Sequence, residues 1–160
     1  NVAPSVTLTG PTTADEGETK GYSYTVSDPG ADTFGPVSVT CGTGGILSNS
    51  GFNSATGVGS FDCTFPDGPV APSITVTVAD DEGGIGSDSV TVIVSNVAPT
   101  LGAITPDPMD PVVAVETPVN FEASFTDPAG TLDEDYICKF DWNGDDTVDE
   151  EVLTAYGVFN

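Results

Sequence analysis

"SITVTVADDEGGIGSDSVTVIVSNVAP", residues 73–99, decides the fold. Ile74, Val76 and Val78 alternate with Ser73, Thr75 and Thr77, and Val90, Val92 and Val94 alternate again beyond the "DDEGG" at 80–84. Period-two alternation of β-branched residues marks half-buried strands, and Asp and Gly between them mark a tight reversal. The stretch reads as an antiparallel hairpin that runs into "NVAP" at 96–99, the four letters that also stand at 1–4.

The same alternation recurs at Tyr22, Tyr24 and Val26, at Phe61, Cys63 and Phe65, and at Val119, Phe121, Ala123 and Phe125, while no helical stripe is present. Turn signals separate these runs: "DEG" at 15–17, "DPG" at 28–30, "GTGG" at 42–45 and "PDGP" at 66–69. The pattern predicts an all-β chain of tandem Greek-key β-sandwiches. Strands are expected near 4–9, 20–27, 35–41, 59–65, 73–79 and 88–95, with a looser one around 46–58. A second set is expected near 100–105, 118–126, 136–142 and 150–158. "NVAP" falls where one sandwich ends and the next begins, and its proline stiffens the hinge and removes a ladder donor. That gives modules at 1–95 and 96–160, and "TDPAG" at 126–130 answering "SDPGA" at 27–31 supports a repeat.

The segment "DYICKFDWNGDDTVDEE", 135–151, together with "DEG", "SDPG", "ITVTVADDEGG" and "SVTVIVSNVAP", resembles the polycystic-kidney-disease-like (PKD-like) modules of bacterial and archaeal surface proteins. That resemblance implies an immunoglobulin-like sandwich, an inward Trp142 followed by an acidic-glycine turn, and an extracellular, cell-surface setting. The first module has no such Trp segment.

Twenty-five acidic residues face two basic ones, Lys20 and Lys139, for a formal charge of -23, yet 38% of the residues are hydrophobic. A chain this apolar folds despite its charge. The charge repels phosphate backbones and anionic head groups, which excludes nucleic acid as a partner, and no apolar run reaches the ~18 residues of a membrane helix. Cations are the natural partners. Histidine is absent and neither lysine sits in a serine–lysine motif, so nucleophilic triads and zinc chemistry lose their usual groups and no enzyme is expected.

Cys41 and Cys63 fall on predicted strands of the first module and are expected to form a disulfide, as in secreted sandwiches. Cys138 follows Asp127 much as Cys41 follows Asp28, which puts its partner beyond Asn160 and makes the second module read as incomplete.

Three groups of oxygen ligands are candidates for calcium. Asp141, Asn143, Asp145, Thr147 and Asp149, with Glu150 or Glu151, have the spacing of a calcium loop, although Asp146 stands where the turn glycine belongs. Sandwich topology brings Asp28 and Asp32 to the end that carries Asp80, Asp81 and Glu82. At the opposite end Asp15, Glu16 and Asp67, with Asn96 and Asp127, could hold a junction ion. Trp142, Tyr22, Tyr24, Phe121, Phe125 and Phe140 are expected in the core. The function these features predict is an extracellular structural or adhesive module, a calcium-stiffened stalk, spacer or fibre subunit, whose partners are copies of itself or neighbouring repeats. The alternatives are a carbohydrate-binding accessory module contacting surface glycans, favoured by an exposed row of aromatics, and a donor-strand filament subunit.

Overall fold

The computed structural model describes residues 1–30, 33–107, 114–116, 118–133, 135–154 and 158–159, with the backbone alone for Pro36, Asp107, Val158 and Phe159. The chain divides into two compact units, Asn1–Val97 and Ala98–Asn160.

Among the described residues of the first unit nine strands follow one another: β1 (Ser5–Thr9), β2 (Thr13–Asp15), β3 (Thr19–Ser27), β4 (Phe34–Thr40), β5 (Ile46–Asn53), β6 (Val58–Thr64), β7 (Ser73–Asp80), β8 (Ile85–Thr91) and β9 (Ile93–Ser95). One antiparallel sheet has the order β1-β3-β6-β5 and the other β4-β7-β8, while β2 pairs in parallel with β9. A four-stranded and a three-stranded sheet in this order are those of an immunoglobulin-like sandwich.

The alternation read in the sequence becomes the core. Tyr22, Tyr24, Val26 and Phe61 of one sheet are buried with Ile74, Val76 and Val78 of the other. Each such aliphatic or aromatic side chain contributes roughly 1.5–3 kcal/mol on burial. Cys41, just past β4, and Cys63, on β6, form the expected disulfide across the two sheets, closing a separation of 22 residues. Gly59 is required on β6, because a Cβ there would lie 2.1 Å from Cζ of the buried Tyr24 ring.

Three details differ from expectation. The segment at 46–53 is a regular strand rather than a loose one, an edge strand paired to β6 and broken by a register shift between Ser48 and Gly51. Bulges of this kind blunt an edge against further pairing. β2 is three residues long, too short to show a period. β8 starts at Ile85, closer to the turn than expected, and Asp88 on it accepts a hydrogen bond from the backbone N–H of Leu8 (2.8 Å), closing the open side of β1.

The outer faces of both sheets are lined by hydroxyls. Thr7 pairs with Thr25 and Ser23 with Ser60 on one, and Ser38 with Thr77 and Thr75 with Ser89 on the other. Most acids of this unit sit instead in the turns at its two ends, where Asp caps local backbone N–H groups.

The second unit holds β10 (Thr100–Leu101), β11 (Thr105–Asp107), β12 (Asn120–Thr126), β13 (Tyr136–Phe140), β14 (Glu150–Thr154) and β15 (Val158–Phe159). β12 pairs with β10, β11 and β15, and β13 forms an antiparallel hairpin with β14. The strand expected at 100–105 is two pieces. The N–H of Gly102 between them bonds to the Ser124 carbonyl (2.7 Å), and a Cβ would stand 2.9 Å from that oxygen. The strand expected at 136–142 ends at Phe140, where the turn of Asp141 takes over. Ala123, Phe125 and Ala129 are buried, but Phe121 and Trp142, expected inside, are 41% and 56% exposed, and Phe140 is half-buried. Trp142 lies two residues past the end of β13, where it stacks on Phe140 (ring centroids 5.0 Å) and meets the tilted ring of Phe121 (6.0 Å) rather than lying between two closed sheets.

Candidate metal centre

Asp80 ends β7 with its side chain turned inward, 5% exposed. Its Oδ1 accepts hydrogen bonds from the backbone N–H groups of Gly84 (2.7 Å) and Glu82 (3.0 Å) and from Nδ2 of Asn1 (3.3 Å). Its Oδ2 is buried and has no partner. Gly84 leaves room for that oxygen, since a Cβ would come within 2.4 Å of it and within 2.9 Å of the Ala3 Cα. Burial pushes the Asp80 carboxyl up, but the donors from Gly84, Asn1, Glu82 and Gly83 outweigh it and hold the group below the ordinary carboxylate range.

Asp28, one residue beyond β3, has the same division of labour. Its Oδ1 accepts the N–H of Gly30 (2.7 Å) and its Oδ2 is buried without a partner. Phe34 at the start of β4 lies opposite Asp80, and Thr33 Oγ1 donates to Asp81 Oδ2 (3.1 Å), so the turn of Asp28 and the turn of Asp80 share one end of the sandwich. Asp32 lies outside the described residues. Two carboxylates, each with one buried oxygen left without a partner, are costly at one end of a sandwich, because a buried polar oxygen loses its hydration with nothing in exchange. They suit a hard, oxygen-seeking cation, and among such ions calcium accepts the six to eight oxygens that carboxylates, amide carbonyls and water supply. In the sequence the one signal for Asn1 as a partner of Asp80 is the recurrence of Asn at the head of "NVAP".

At the opposite end Glu16, 2% exposed, is fully engaged by the backbone. Its Oε1 accepts the N–H of Val97 (2.8 Å) and its Oε2 that of Gly68 (3.1 Å), while its own N–H bonds to the Ser95 carbonyl (3.0 Å). Asp67 brings a carboxylate oxygen within 4.8 Å of it. Asp15 is exposed, and Asn96 donates to the Val97 carbonyl (3.3 Å). Glu16 therefore clamps the first letters of the second "NVAP" onto the body of the unit, a role that its place in "DEG" did not reveal. In the second unit Asp127 repeats Asp28: it is buried, its Oδ1 accepts the N–H of Ala129 (2.9 Å), and its Oδ2 has no partner.

The acidic turn after β13 is exposed and self-contained. Asp141 takes the N–H groups of Gly144 (2.7 Å), Asp145 (3.3 Å) and Asp146 (2.9 Å), and Asn143 that of Asp145 (2.9 Å). Asp145 accepts from the N–H and the hydroxyl of Thr147, and Asp149 from the N–H of Trp142 (2.7 Å). Asp146 adopts φ 64°, the left-handed conformation that the missing glycine would have supplied. Burial pushes Asp141 up, the N–H groups of Gly144, Asp146 and Asp145 more than reverse this, and both Asp141 and the Thr147-bonded Asp145 lie below the ordinary range. Neither in 141–151 nor among Asp28, Asp80, Asp81 and Glu82 do three carboxylates bring an oxygen each within 4.8 Å of one another. Glu150 and Glu151 belong to β14, where Glu151 pairs with Lys139 at 3.0 Å.

No family model and no curated protein matches the chain. Among solved structures it is similar to the PKD domain of an M14-like peptidase from Thermoplasmatales archaeon SCGC AB-540-F20, at 19% identity and TM-score 0.49, over 59% of this chain and 99% of that one. It is also similar to FdeC, an Escherichia coli adhesin, at 14% identity and TM-score 0.37, over 88% of this chain and 48% of that one.

Proposed function

We propose that the chain is a non-enzymatic, extracellular spacer or adhesive stalk of immunoglobulin-like modules, stiffened by calcium at the ends of its sandwiches. The observation that carries this reading is the Asp80 carboxylate, almost wholly buried, ionised, and left with one oxygen unpaired at the end of the sandwich that also carries the turn of Asp28. Asp80, Asp28 and the side-chain carbonyl of Asn1 would hold the ion, with Asp81 at the rim. Calcium there neutralises acids that otherwise repel one another and ties the entering chain to two turns of the sandwich. The disulfide and the hydroxyl-lined faces fit a secreted module, and the acids concentrated at its ends fit neighbouring repeats as partners.

Calcium titrated into chelator-stripped protein tests the reading. Extracellular modules bind with Kd of about 0.1–1 mM, so 10 mM calcium is roughly 10–100 Kd and stabilises the native state by about 1.4–2.7 kcal/mol. For a unit of this size that is a rise in Tm of at least ~6 °C. Asp80→Asn keeps an oxygen for Gly84 and Glu82 but removes the charge, and abolishes the rise. Asp141→Ser with Asn143→Ser and Asp145→Ser leaves the first unit's rise intact. A rise that survives Asp80→Asn, or no rise at all, refutes the assignment.

A further inference from the structure

Asn143 is the one asparagine of the sequence that is followed by glycine, and the pair lies in the turn between β13 and β14. An asparagine loses its amide when the backbone nitrogen of the next residue attacks its side-chain carbonyl carbon. Glycine leaves that nitrogen unobstructed because it has no Cβ. Two conditions govern the attack: the carbonyl must be polarised, and the nitrogen must be free to give up its proton.

The turn meets the first condition and withholds the second. Oδ1 of Asn143 accepts the N–H of Asp145 (2.9 Å), which closes a small ring that contains both Cγ of Asn143 and N of Gly144. That N–H points to the oxygen on which negative charge develops as Cγ is attacked, as an oxyanion donor does. The N–H of Gly144, held at φ 74°, is instead given to Oδ1 of Asp141 (2.7 Å). A short hydrogen bond to a carboxylate is strong and keeps the proton on the nitrogen. Asp141 also takes the N–H groups of Asp145 (3.3 Å) and Asp146 (2.9 Å), so freeing Gly144 means opening the whole turn.

We propose that Asn143 is a self-modification site, primed by the N–H of Asp145 and locked by the carboxylate of Asp141, which deamidates when the turn opens. The freed Gly144 nitrogen gives its proton to solvent and bonds to Cγ of Asn143. The bond from Cγ to Nδ2 breaks, and Nδ2 leaves as ammonia with a proton from water. Water then opens the resulting succinimide at one of its two carbonyls, leaving aspartate or isoaspartate at position 143. Either product adds one negative charge beside Asp141, Asp145, Asp146 and Asp149. Isoaspartate also puts Cβ into the main chain, and the longer backbone carries the N–H groups of Gly144 and Asp145 away from Asp141. The turn then cannot re-form, so the step is an irreversible mark on the β13–β14 hairpin. It uses none of the groups assigned to calcium in the first unit and stands apart from that reading.

The test follows deamidation of the full chain at neutral pH, by the amide-to-acid mass gain of the digest fragment that holds position 143 and by its isoaspartate content. The reference is a synthetic peptide with the sequence of Asp141–Asp149, which has no folded turn. The parent chain reacts at least tenfold more slowly than the peptide. Asp141→Ala, which removes the acceptor of the Gly144 N–H, reacts at least tenfold faster than the parent, and the Gly144 amide exchanges faster to match. Phe125→Leu weakens the core of the same unit without touching the turn, and it leaves the rate much closer to the parent than Asp141→Ala does. A parent chain as fast as the peptide overturns the lock, and so does an unchanged rate in Asp141→Ala. A rise in Phe125→Leu as large as in Asp141→Ala overturns it as well, because unfolding of the unit rather than Asp141 then controls the reaction.

Discussion

Replacing Glu16 by alanine removes the acceptor for two backbone donors at once. The Gly68 N–H is buried and the Val97 N–H partly so, at 3.1 and 2.8 Å from the carboxylate. An unsatisfied buried donor costs about 1–3 kcal/mol, and less where water reaches it, so the two together cost roughly 2–4 kcal/mol. Relief of repulsion from Asp67 opposes this. At 4.8 Å two unit charges repel by about 3 kcal/mol at an effective dielectric of 20, and by less here because Asp67 is half-exposed and screened. With the screened repulsion at about 1 kcal/mol, the net loss is about 1–3 kcal/mol, which lowers the Tm of the first unit by roughly 4–24 °C. Calorimetry of the full chain reads the global change, and amide exchange of Gly68 and Val97 reads it locally, with both amides exchanging faster while those of β7 keep their protection relative to global unfolding. Glu16→Gln, which keeps one acceptor and loses the charge, falls between the parent and the alanine variant. An unchanged or raised Tm for Glu16→Ala refutes the clamp and makes charge repulsion the larger force at that end.

Cys41→Ala with Cys63→Ala releases a closure of 22 residues, worth about 3 kcal/mol in the loop-entropy description, and lowers the first unit's Tm by ~15 °C; a fall under ~3 °C, measured by circular dichroism, contradicts it. Stability should be flat from about pH 8 to 5 and fall below about pH 4. Asp80, Asp141 and Asp145 have folded pKa values below their unfolded ones, so what they contribute is complete above the unfolded value near 3.9 and lost as pH falls through the folded values. Thermal melts across pH 2–8 check this, and a decline already complete by pH 5 contradicts it.

The alternation of Ile74, Val76 and Val78, or of Tyr22, Tyr24 and Val26, determined by itself that these segments are strands and which of their faces is buried. A period of two has one structural meaning, and a one-residue slip would turn every such side chain to water. The turn signals were legible for a similar reason, since Asp, Gly and Pro act on the backbone within a few residues. Cys41 and Cys63 could be matched because both fell on predicted strands of one module, although β4 and β6 belong to different sheets. Beyond that range the sequence was silent. Glu16 looked like any acid in a turn until the fold carried Gly68 and Val97 to its two oxygens from 52 and 81 residues away. Asp28 and Asp80 are ordinary turn residues one at a time; their unpaired oxygens arise because β3, β4 and β7 deliver both turns to one end and exclude water there. Alternation continued two residues past the end of β13 puts Trp142 in the core, whereas the backbone there has entered a turn held by Asp141 and Asp149. Local chemistry sets strand, turn and face, whereas burial and partnership of a polar group depend on which distant strands arrive beside it, and that is decided only when the sheets pack.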